Sequence, residues 1–429
     1  MKTSKFNSFF LYEDKFVGYN AYSNDFTILE PDLYELFLAA ERENINELEI
    51  IHPDFYAHLQ EKGFIIPEET DEIQEVKSMV YKIDQSDKES FHLIINPTMN
   101  CNFKCWYCYE THIKDSKMES VELKKVLDFT KAILKKQEIK NFSISWFGGE
   151  PLLYFNKTVM PILEEIYPLC VKNGINFISD FTTNGLLINQ KLLDNCLKFG
   201  VNHMQITLDG HRERHNKVRF ISKEKGSYDE IIKNIKLCLK NGISISCRLN
   251  ISRETIDGNI KEIVKDFSEL TNDQRHYLNF SFNQVWQEKE DLHQEMIELM
   301  AFFKDNNFNI SYNKNIDSVR DSCYADKSNH ATINYNGEVF KCTARDFNSE
   351  NKEGILLENG IIDWNEKFDK RMDAKFKNPP CLDCKILPIC NGGCSQAAIE
   401  NLGTDYCVND FDENKKMDII KNKFLIAIS

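Results

Sequence analysis

The stretch HLIINPTMNCNFKCWYCYE, residues 92–110, joins a short apolar run to a loop that carries three cysteines. The run HLIINPT has the length and the apolar content of a buried strand. Residues 119–137, which follow, have the wider spacing of apolar residues that is typical of an amphipathic helix. The sequence therefore predicts a strand, a cysteine-containing loop and a helix in succession.

The same alternation continues to about residue 285. Further runs of strand type are NFSISWFGG, NFISDFTTNG, HMQITLDG, ISISCRLNIS and YLNFSFNQV. Helical patterns lie between them, among them TVMPILEEIYPLCVKNG, YDEIIKNIKLCLKNG and GNIKEIVKDFSELT. Regular alternation predicts βα units and a parallel sheet. We expect an α/β fold with a partial (β/α)6 TIM-like barrel, whose active site lies at the C-terminal ends of the strands.

The pattern changes on both sides of this region. Residues 1–85 show short β-type runs and then helical patterns, which predict a small α+β domain before the barrel of residues 86–306. Residues 307–410 lose the alternation and gain cysteine, glycine and proline, which predicts an irregular Cys-rich domain. Residues 411–429 predict a C-terminal helix.

Charge and hydropathy exclude several classes of protein. The 429 residues include 53 Lys and Arg against 67 Asp and Glu, a net charge of −14. This balance argues against a nucleic-acid-binding protein with a wholly basic surface. The N-terminus shows no secretory signal, and no run approaches about 18 apolar residues. We therefore expect a cytoplasmic protein without a membrane segment.

Cysteine is unusually frequent, with 14 residues in a chain expected in a reducing compartment, where structural disulfides are rare. Four cysteines stand alone in apolar or amphipathic stretches, where a buried thiol is expected: Cys170, Cys196, Cys238 and Cys247. The other ten are clustered in the sequence. Their spacing predicts metal or cluster ligation.

The first group has the spacing CxxxCxxC, formed by Cys101, Cys105 and Cys108. Three thiolates on one loop can hold three irons of a four-iron cluster and leave the fourth iron open to a substrate. A zinc site that lacks its fourth ligand, or three ordinary cysteines, are alternatives. Zinc favours paired CxxC units and four ligands.

This loop, with Tyr107 before the third cysteine, resembles the loop of the radical S-adenosylmethionine enzymes. The second predicted strand ends in FGGEP, where glycines allow a close backbone approach and a carboxylate stands beside them. By the resemblance, this segment contacts the methionine amino group of S-adenosylmethionine, through Gly148, Gly149, Glu150 and Pro151. We include Tyr107 in the predicted cofactor site.

The fourth predicted strand ends in ITLDGHRERHNKVR, which is similar to a further segment of the family. The resemblance implies that Thr207 and Arg219 contact the cofactor. Thr207 could instead cap a strand end, and Arg219 could be a solvated loop charge. The TTNG segment at 182–185 and Arg248 on the fifth strand also fall where family members line the pocket. No catalytic residue is assigned.

The second group follows the pattern CX13GX4C and then CX2CX5CX3CX12C. A pair of zinc knuckles is the alternative. The array resembles the SPASM extension of radical enzymes that modify peptides and proteins. The resemblance implies two auxiliary [4Fe–4S] clusters, an outer one on Cys381, Cys384, Cys390 and Cys407, and an inner one on Cys323, Cys342 and Cys394. The inner set is one thiolate short, so the inner cluster has either an open iron or a fourth ligand other than cysteine.

Together these resemblances imply an oxidoreductase that uses S-adenosylmethionine and three [4Fe–4S] clusters on a ribosomally made peptide, in an oxygen-poor cytoplasm. Residues 1–85 resemble a winged-helix-like module that binds a leader peptide as an added strand, with a packing domain as the alternative. A flavodoxin- or ferredoxin-type donor is expected. Sulfatase maturation, modification of a small molecule and a non-catalytic electron carrier are the other functions considered. Thr343 stands where sulfatase maturases carry an Asp, although Asp346 is close in sequence.

Overall fold

The computed structural model describes residues 1–222, 224–311 and 322–428. The chain divides into two compact units, each built from separated segments. The first comprises Met1–Asp87, Lys314–Ser328 and Asp369–Ser429; the second comprises Lys88–Asn313 and Asn329–Phe368. The predicted domain 307–410 is therefore shared by both units, and its residues 312–321 lie outside the described part.

The second unit is built on one large sheet whose centre consists of the six predicted strands. All six are parallel to their neighbours, in the spatial order in which they occur along the chain. They are β6 (Ser90–Ile95), β7 (Asn141–Trp146), β8 (Asn176–Thr183), β9 (Val201–Leu208), β12 (Ser244–Ile251) and β13 (Leu278–Gln284). Because each returns after a helix, their carboxyl ends meet at one edge of the sheet, as the sequence predicts.

The sheet extends beyond these strands on both sides. β14 (Asn309–Ser311) continues it beside β13, and β15 (His330–Ile333) runs parallel to β6. Three antiparallel strands follow at that side: β16 (Glu338–Phe340), β17 (Gly354–Leu356) and β18 (Ile362–Trp364). Part of the predicted irregular domain thus joins the main sheet. The two outermost strands, β14 and β18, are not paired with each other in the described part, so the sheet stays open.

Helices cover one face of this sheet and bury its apolar side chains. They are α5 (Ser120–Leu134), α6 (Met160–Asn173), α7 (Gln190–Lys198), α8 (Arg212–Val218), α9 (Tyr228–Lys240), α10 (Arg253–Asp257), α11 (Ile263–Asp266), α12 (Asn272–His276) and α13 (His293–Asp305). A small hairpin, β10 (Phe220–Ser222) with β11 (Lys225–Gly226), precedes α9. Four cysteines are buried in this core, as predicted for unclustered thiols: Cys170, Cys196, Cys238 and Cys247.

The first unit begins with an antiparallel three-stranded sheet. It consists of β2 (Asn7–Tyr12), β3 (Lys15–Asn20) and β4 (Asp25–Leu29), with β1 (Lys2–Thr3) pairing β5 (Ile65–Ile66) separately. The helices are α1 (Pro31–Arg42), α2 (Leu48–Ile51), α3 (Pro53–Glu61) and α4 (Glu72–Gln85). The predicted α+β content is present, and the winged-helix-like, leader-binding interpretation stays a prediction.

The Cys-rich part of the chain is largely helical. Its helices are α14 (Glu366–Met372), α15 (Pro379–Leu382), α16 (Leu387–Cys390), α17 (Ser395–Glu400) and α18 (Glu413–Ile428). Within the first unit, Val17 and Tyr19 of the N-terminal sheet share a core with Leu387 and with Phe424 of α18. The Cys-rich segment therefore packs on the first residues of the chain. No described helix is long and apolar enough to cross a bilayer.

Candidate cluster and cofactor site

The CxxxCxxC loop follows β6 at the carboxyl edge of the sheet. A turn in which the Cys108 N–H donates to the Cys105 carbonyl, at 3.1 Å, folds the loop back on itself. Burial, with smaller contributions from Glu150 and Cys105, raises the pKa of the Cys101 thiol to about 12. A cationic metal group is what would hold such thiols as thiolates. The donor set therefore fits a cluster held by three cysteines.

A buried charge network fixes this loop to the end of β9. The Asp209 carboxylate accepts hydrogen bonds from the Arg219 Nε at 2.5 Å and from the Tyr107 hydroxyl at 2.8 Å. The Arg219 Nη2 also donates to the Tyr107 hydroxyl at 2.7 Å. Burial alone would raise the pKa of Asp209, but Arg219 holds it below its ordinary value. Arg219 is only 8% exposed, so it is not a solvated loop charge.

Asp209 itself was missed at the level of sequence, although it stands in the quoted ITLDG segment. Its second oxygen accepts from the Asn250 side chain at 3.2 Å, which links β9 to β12. Its backbone N–H donates to the Nδ1 of His215 at 3.2 Å. Burial lowers the pKa of His215 to about 3, so this ring is neutral and its Nδ1 can accept. Asp209 thus organises three segments around one carboxylate.

The glycines of FGGEP allow two loops to touch. Gly148 and Gly149 have φ of 76° and 52°, in the left-handed region that favours glycine. A Cβ on Gly149 would lie 2.4 Å from the carbonyl oxygen of Asn100, in the cysteine loop. The Gly149 N–H also donates to the Glu110 carboxylate at 2.7 Å. The predicted close backbone approach is therefore made to the cysteine loop itself.

Glu150 is fully buried, and its carboxylate is occupied by the protein. One oxygen accepts from the Leu152 N–H at 3.0 Å and from the Thr183 hydroxyl at 2.7 Å, while the other accepts from the Asn184 N–H at 2.8 Å. These bonds join FGGEP to the TTNG segment. Contact of Glu150 with an ammonium group stays a prediction, as it does for Pro151, which begins a short 3-10 turn.

Thr207 and Arg248 are paired neighbours on β9 and β12. Alternation along both strands places them on the face opposite the helices, because Ile206 and Cys247 lie in the core. The Arg248 Nε donates to the Asn250 side chain at 3.0 Å, and burial lowers the pKa of the guanidinium. Both residues thus reach the edge that carries the cysteine loop, and their contact with a cofactor stays a prediction.

The four cysteines assigned to the outer cluster surround one cavity in the first unit. The side chains of Cys381, Cys384, Cys390 and Cys407 all line it. Burial, with smaller contributions from the other three thiols, raises the pKa of Cys390 to about 12. In the described part of the chain, no three His, Cys, Asp or Glu side chains are grouped as around a single metal ion. Four thiols that line one cavity are compatible with the ligand set of a [4Fe–4S] cluster, and the assignment stays a prediction.

The cysteines assigned to the inner cluster belong to different units. Cys323 and Cys394 lie in the first unit and Cys342 in the second. Their joint ligation stays a prediction. After Cys342, the Thr343 carbonyl accepts from the Tyr109 hydroxyl at 2.8 Å. The Asp346 carboxylate accepts from the N–H and the hydroxyl of Thr111, at 2.8 and 2.6 Å, so it is engaged at the cysteine loop.

Comparison with known proteins agrees with this arrangement. The model of the Radical SAM superfamily matches residues 95–267. The radical SAM cyclopropyl synthase TigE of Paramaledivibacter caminithermalis is 25% identical over 409 residues, which cover 87% of this chain and 81% of TigE. The cysteine-type anaerobic sulfatase-maturating enzyme of Clostridium novyi is 25% identical over 371 residues, which cover 78% of this chain and 96% of that enzyme.

Solved structures share the fold. The anSMEcpe structure with bound AdoMet and Cp18Cys peptide has a TM-score of 0.58 at 18% identity, covering 79% of this chain and 98% of that one. Streptococcus suis SuiB bound to its precursor peptide SuiA has a TM-score of 0.52 at 18% identity, covering 94% and 98%. The parallel sheet, the cysteine loop at its carboxyl edge and the superfamily match agree, and residues 95–267 therefore form a radical SAM domain.

Proposed function

We propose that this protein is a radical SAM peptide maturase that abstracts hydrogen from a ribosomally synthesised peptide to form a thioether or carbon–carbon crosslink. The observation that carries the proposal is the buried contact of Tyr107, Asp209 and Arg219, which holds a three-cysteine loop at the carboxyl edge of the sheet. The solved structure of SuiB, which shares the fold, holds the precursor peptide SuiA. The TigE relative is named a radical SAM cyclopropyl synthase.

The position of each residue in the fold determines the role that we propose for it. Cys101, Cys105 and Cys108 would hold the open-site [4Fe–4S] cluster, and the GGEP backbone with Thr207 and Arg248 would bind S-adenosylmethionine. When bound, the reduced cluster and S-adenosylmethionine supply a 5′-deoxyadenosyl radical that abstracts hydrogen. The protein orients the substrate beside that cofactor and excludes water from the carboxyl edge of the sheet.

The Cys-rich segment would hold two auxiliary clusters, which would accept the electron that the substrate loses when the crosslink forms. A flavodoxin- or ferredoxin-type donor would supply the electron that reduces the cluster of the cysteine loop. The four thiols that line one cavity support the outer auxiliary cluster. Residues 1–85 would bind the leader of the peptide by strand addition, for which the antiparallel sheet β2–β3–β4 offers edge strands.

Sulfatase maturation is the second candidate, supported by the relative from Clostridium novyi. It needs a base near the substrate, and the sequence offers Asp346 for that role. In the structure both oxygens of Asp346 accept hydrogen bonds from Thr111. A carboxylate engaged in this way is poorly placed to take up a substrate proton, so peptide crosslinking is favoured.

Two measurements test the proposal. Anaerobically reconstituted protein with dithionite and S-adenosylmethionine should release 5′-deoxyadenosine, and Cys105→Ala should not. Cys170→Ala, at a buried cysteine outside the clusters, is the matched control and should retain release. A short peptide encoded beside this chain should lose two mass units after co-expression, as a crosslink requires. A formylglycine product, or no 5′-deoxyadenosine from loaded protein, would reject the proposal.

A further inference from the structure

Polar side chains from five neighbouring strands form a row across the sheet of the second unit. The Nε2 of His92 lies 3.0 Å from the Ser145 hydroxyl, which donates to the Asp180 carboxylate at 2.8 Å. On the next strands, the Nε2 of His203 lies 2.9 Å from the Ser246 hydroxyl. Ser145 has one proton and gives it to Asp180, so His92 must be the donor in its own contact with Ser145.

This row lies on the face of the sheet opposite the helices. Asp180 and His203 are half-buried, whereas their strand neighbours Phe181 and Met204 are fully buried in the helix-covered core. Thr207 is four residues beyond His203 on β9 and therefore faces the same side. At about 3.3 Å per residue, the row lies roughly 13 Å from Thr207 along the strand. A side chain that reaches this row must therefore come from a residue that lies between the row and the carboxyl edge.

The row is interrupted between Asp180 and His203. The two residues are directly paired across β8 and β9. Burial raises the pKa of Asp180, while Ser145 and the nearby His203 oppose that rise. In the described part of the chain, the only side-chain donor to the Asp180 carboxylate is the Ser145 hydroxyl, which bonds to its Oδ2. The second carboxylate oxygen can therefore accept a donor from outside the protein.

We propose that Asp180, with His203 beside it, binds the cationic end of a lysine or arginine side chain of the peptide substrate. A half-buried carboxylate gains most from a donor that also carries positive charge. An extended lysine or arginine side chain spans about 6–7 Å, so the backbone of that residue would lie about midway between this row and the carboxyl edge. The inference rests on the proposed peptide substrate and assigns to it a basic residue near the residue that is modified.

Binding of small probes tests this site without the natural peptide. The reconstituted full chain with S-adenosylmethionine is titrated calorimetrically with N-acetyl-lysine N-methylamide and with its neutral norleucine counterpart. We expect the wild type to prefer the lysine probe by about tenfold, the effect of one charge-assisted hydrogen bond. Asp180→Asn should abolish the preference and Asp180→Glu should keep it. Ser143→Ala is the control. Ser143 lies on β7, the strand of Ser145, but outside the row, so this variant should also keep the preference.

The outcomes separate this inference from the proposed function. Equal binding of the two probes to the wild type, or an unchanged preference in Asp180→Asn, would overturn the site. Release of 5′-deoxyadenosine without peptide should be the same in Asp180→Asn as in the wild type, which also shows that the variant is folded. If the lysine preference is found but no peptide is ever modified, the proposed function fails while the cation site stands.

Discussion

Substitution of Asp209 by Asn tests whether one buried carboxylate holds the cysteine loop in place. Asn is nearly the same size but carries no charge, so Arg219 is left buried without its counter-ion. The side chains of Arg219 and Asp209 are 10% and 4% exposed, so water cannot replace the lost partner. Breaking a buried pair in this way costs about 3–5 kcal/mol. We expect the second unit to lose that amount of stability.

The four tryptophans make the measurement specific. Trp106, Trp146, Trp286 and Trp364 all belong to the second unit, so tryptophan fluorescence reports its unfolding alone. With a urea dependence of about 3 kcal/mol per molar, the unfolding midpoint should fall by roughly 1–2 M. Iron content and release of 5′-deoxyadenosine should fall with it, because the acceptor that holds Tyr107 and Arg219 loses its charge.

An exposed ion pair supplies the control for this substitution. Arg212 and Asp229 are in contact at 2.7 Å, and their side chains are 47% and 71% exposed. Asp229→Asn should leave the midpoint nearly unchanged, because solvent screens such pairs. If Asp209→Asn shifts the midpoint no more than Asp229→Asn does, the buried network does not stabilise the loop and the reasoning is wrong.

Three further predictions concern other parts of the chain. The buried His215 has a pKa of about 3 in the folded protein, against about 6.5 in the unfolded chain. Below pH 6.5 the unfolded state therefore binds more protons, and the free energy of unfolding should fall by about 2 kcal/mol at pH 5. His215→Gln should weaken this pH dependence when unfolding is followed by tryptophan fluorescence. Gly149→Ala should abolish iron loading at the cysteine loop because its Cβ would meet Asn100 at 2.4 Å, whereas Gly174→Ala, at a similar φ with nothing within 4 Å, should load normally. Cys407→Ser should lose about four of about twelve irons by chemical analysis, and full loading would contradict the outer-cluster assignment.

The sequence was sufficient for the parallel strands but not for the limits of the sheet. Runs of strand type that alternate with helical patterns predict the six strands from β6 to β13, because the helices bury one face of the sheet and place apolar residues at alternate positions of the strands. The short strand at residues 330–333 has no such signal. It pairs through backbone hydrogen bonds with β6, which lies more than two hundred residues earlier in the chain. The local sequence pattern carries no information about so distant a partner.

The candidate site, like the sheet, was predicted from the sequence only in part. Spacing identifies the cysteines, since ligands on one loop must be close in sequence. Asp209 and Glu110 were missed because their importance comes from partners brought together by folding. Asp209 meets Tyr107 from 102 residues away, and Glu110 meets Gly149 from 39. Glu150 was noted in sequence for its carboxylate, but only the structure shows that backbone and hydroxyl donors already occupy it.

Three carboxylates together organise the carboxyl edge of the sheet before any cofactor binds. Glu110 joins the cysteine loop to the loop after β7, and Glu150 joins that loop to the one after β8. Asp209, at the end of β9, returns to the cysteine loop through Tyr107. Each carboxylate accepts from at least one backbone or charged donor, the stronger kind of hydrogen bond where water is excluded. The cysteine loop is thus held from two sides by the protein itself, and the geometry needed for positioning a reactive cofactor does not have to be created on binding.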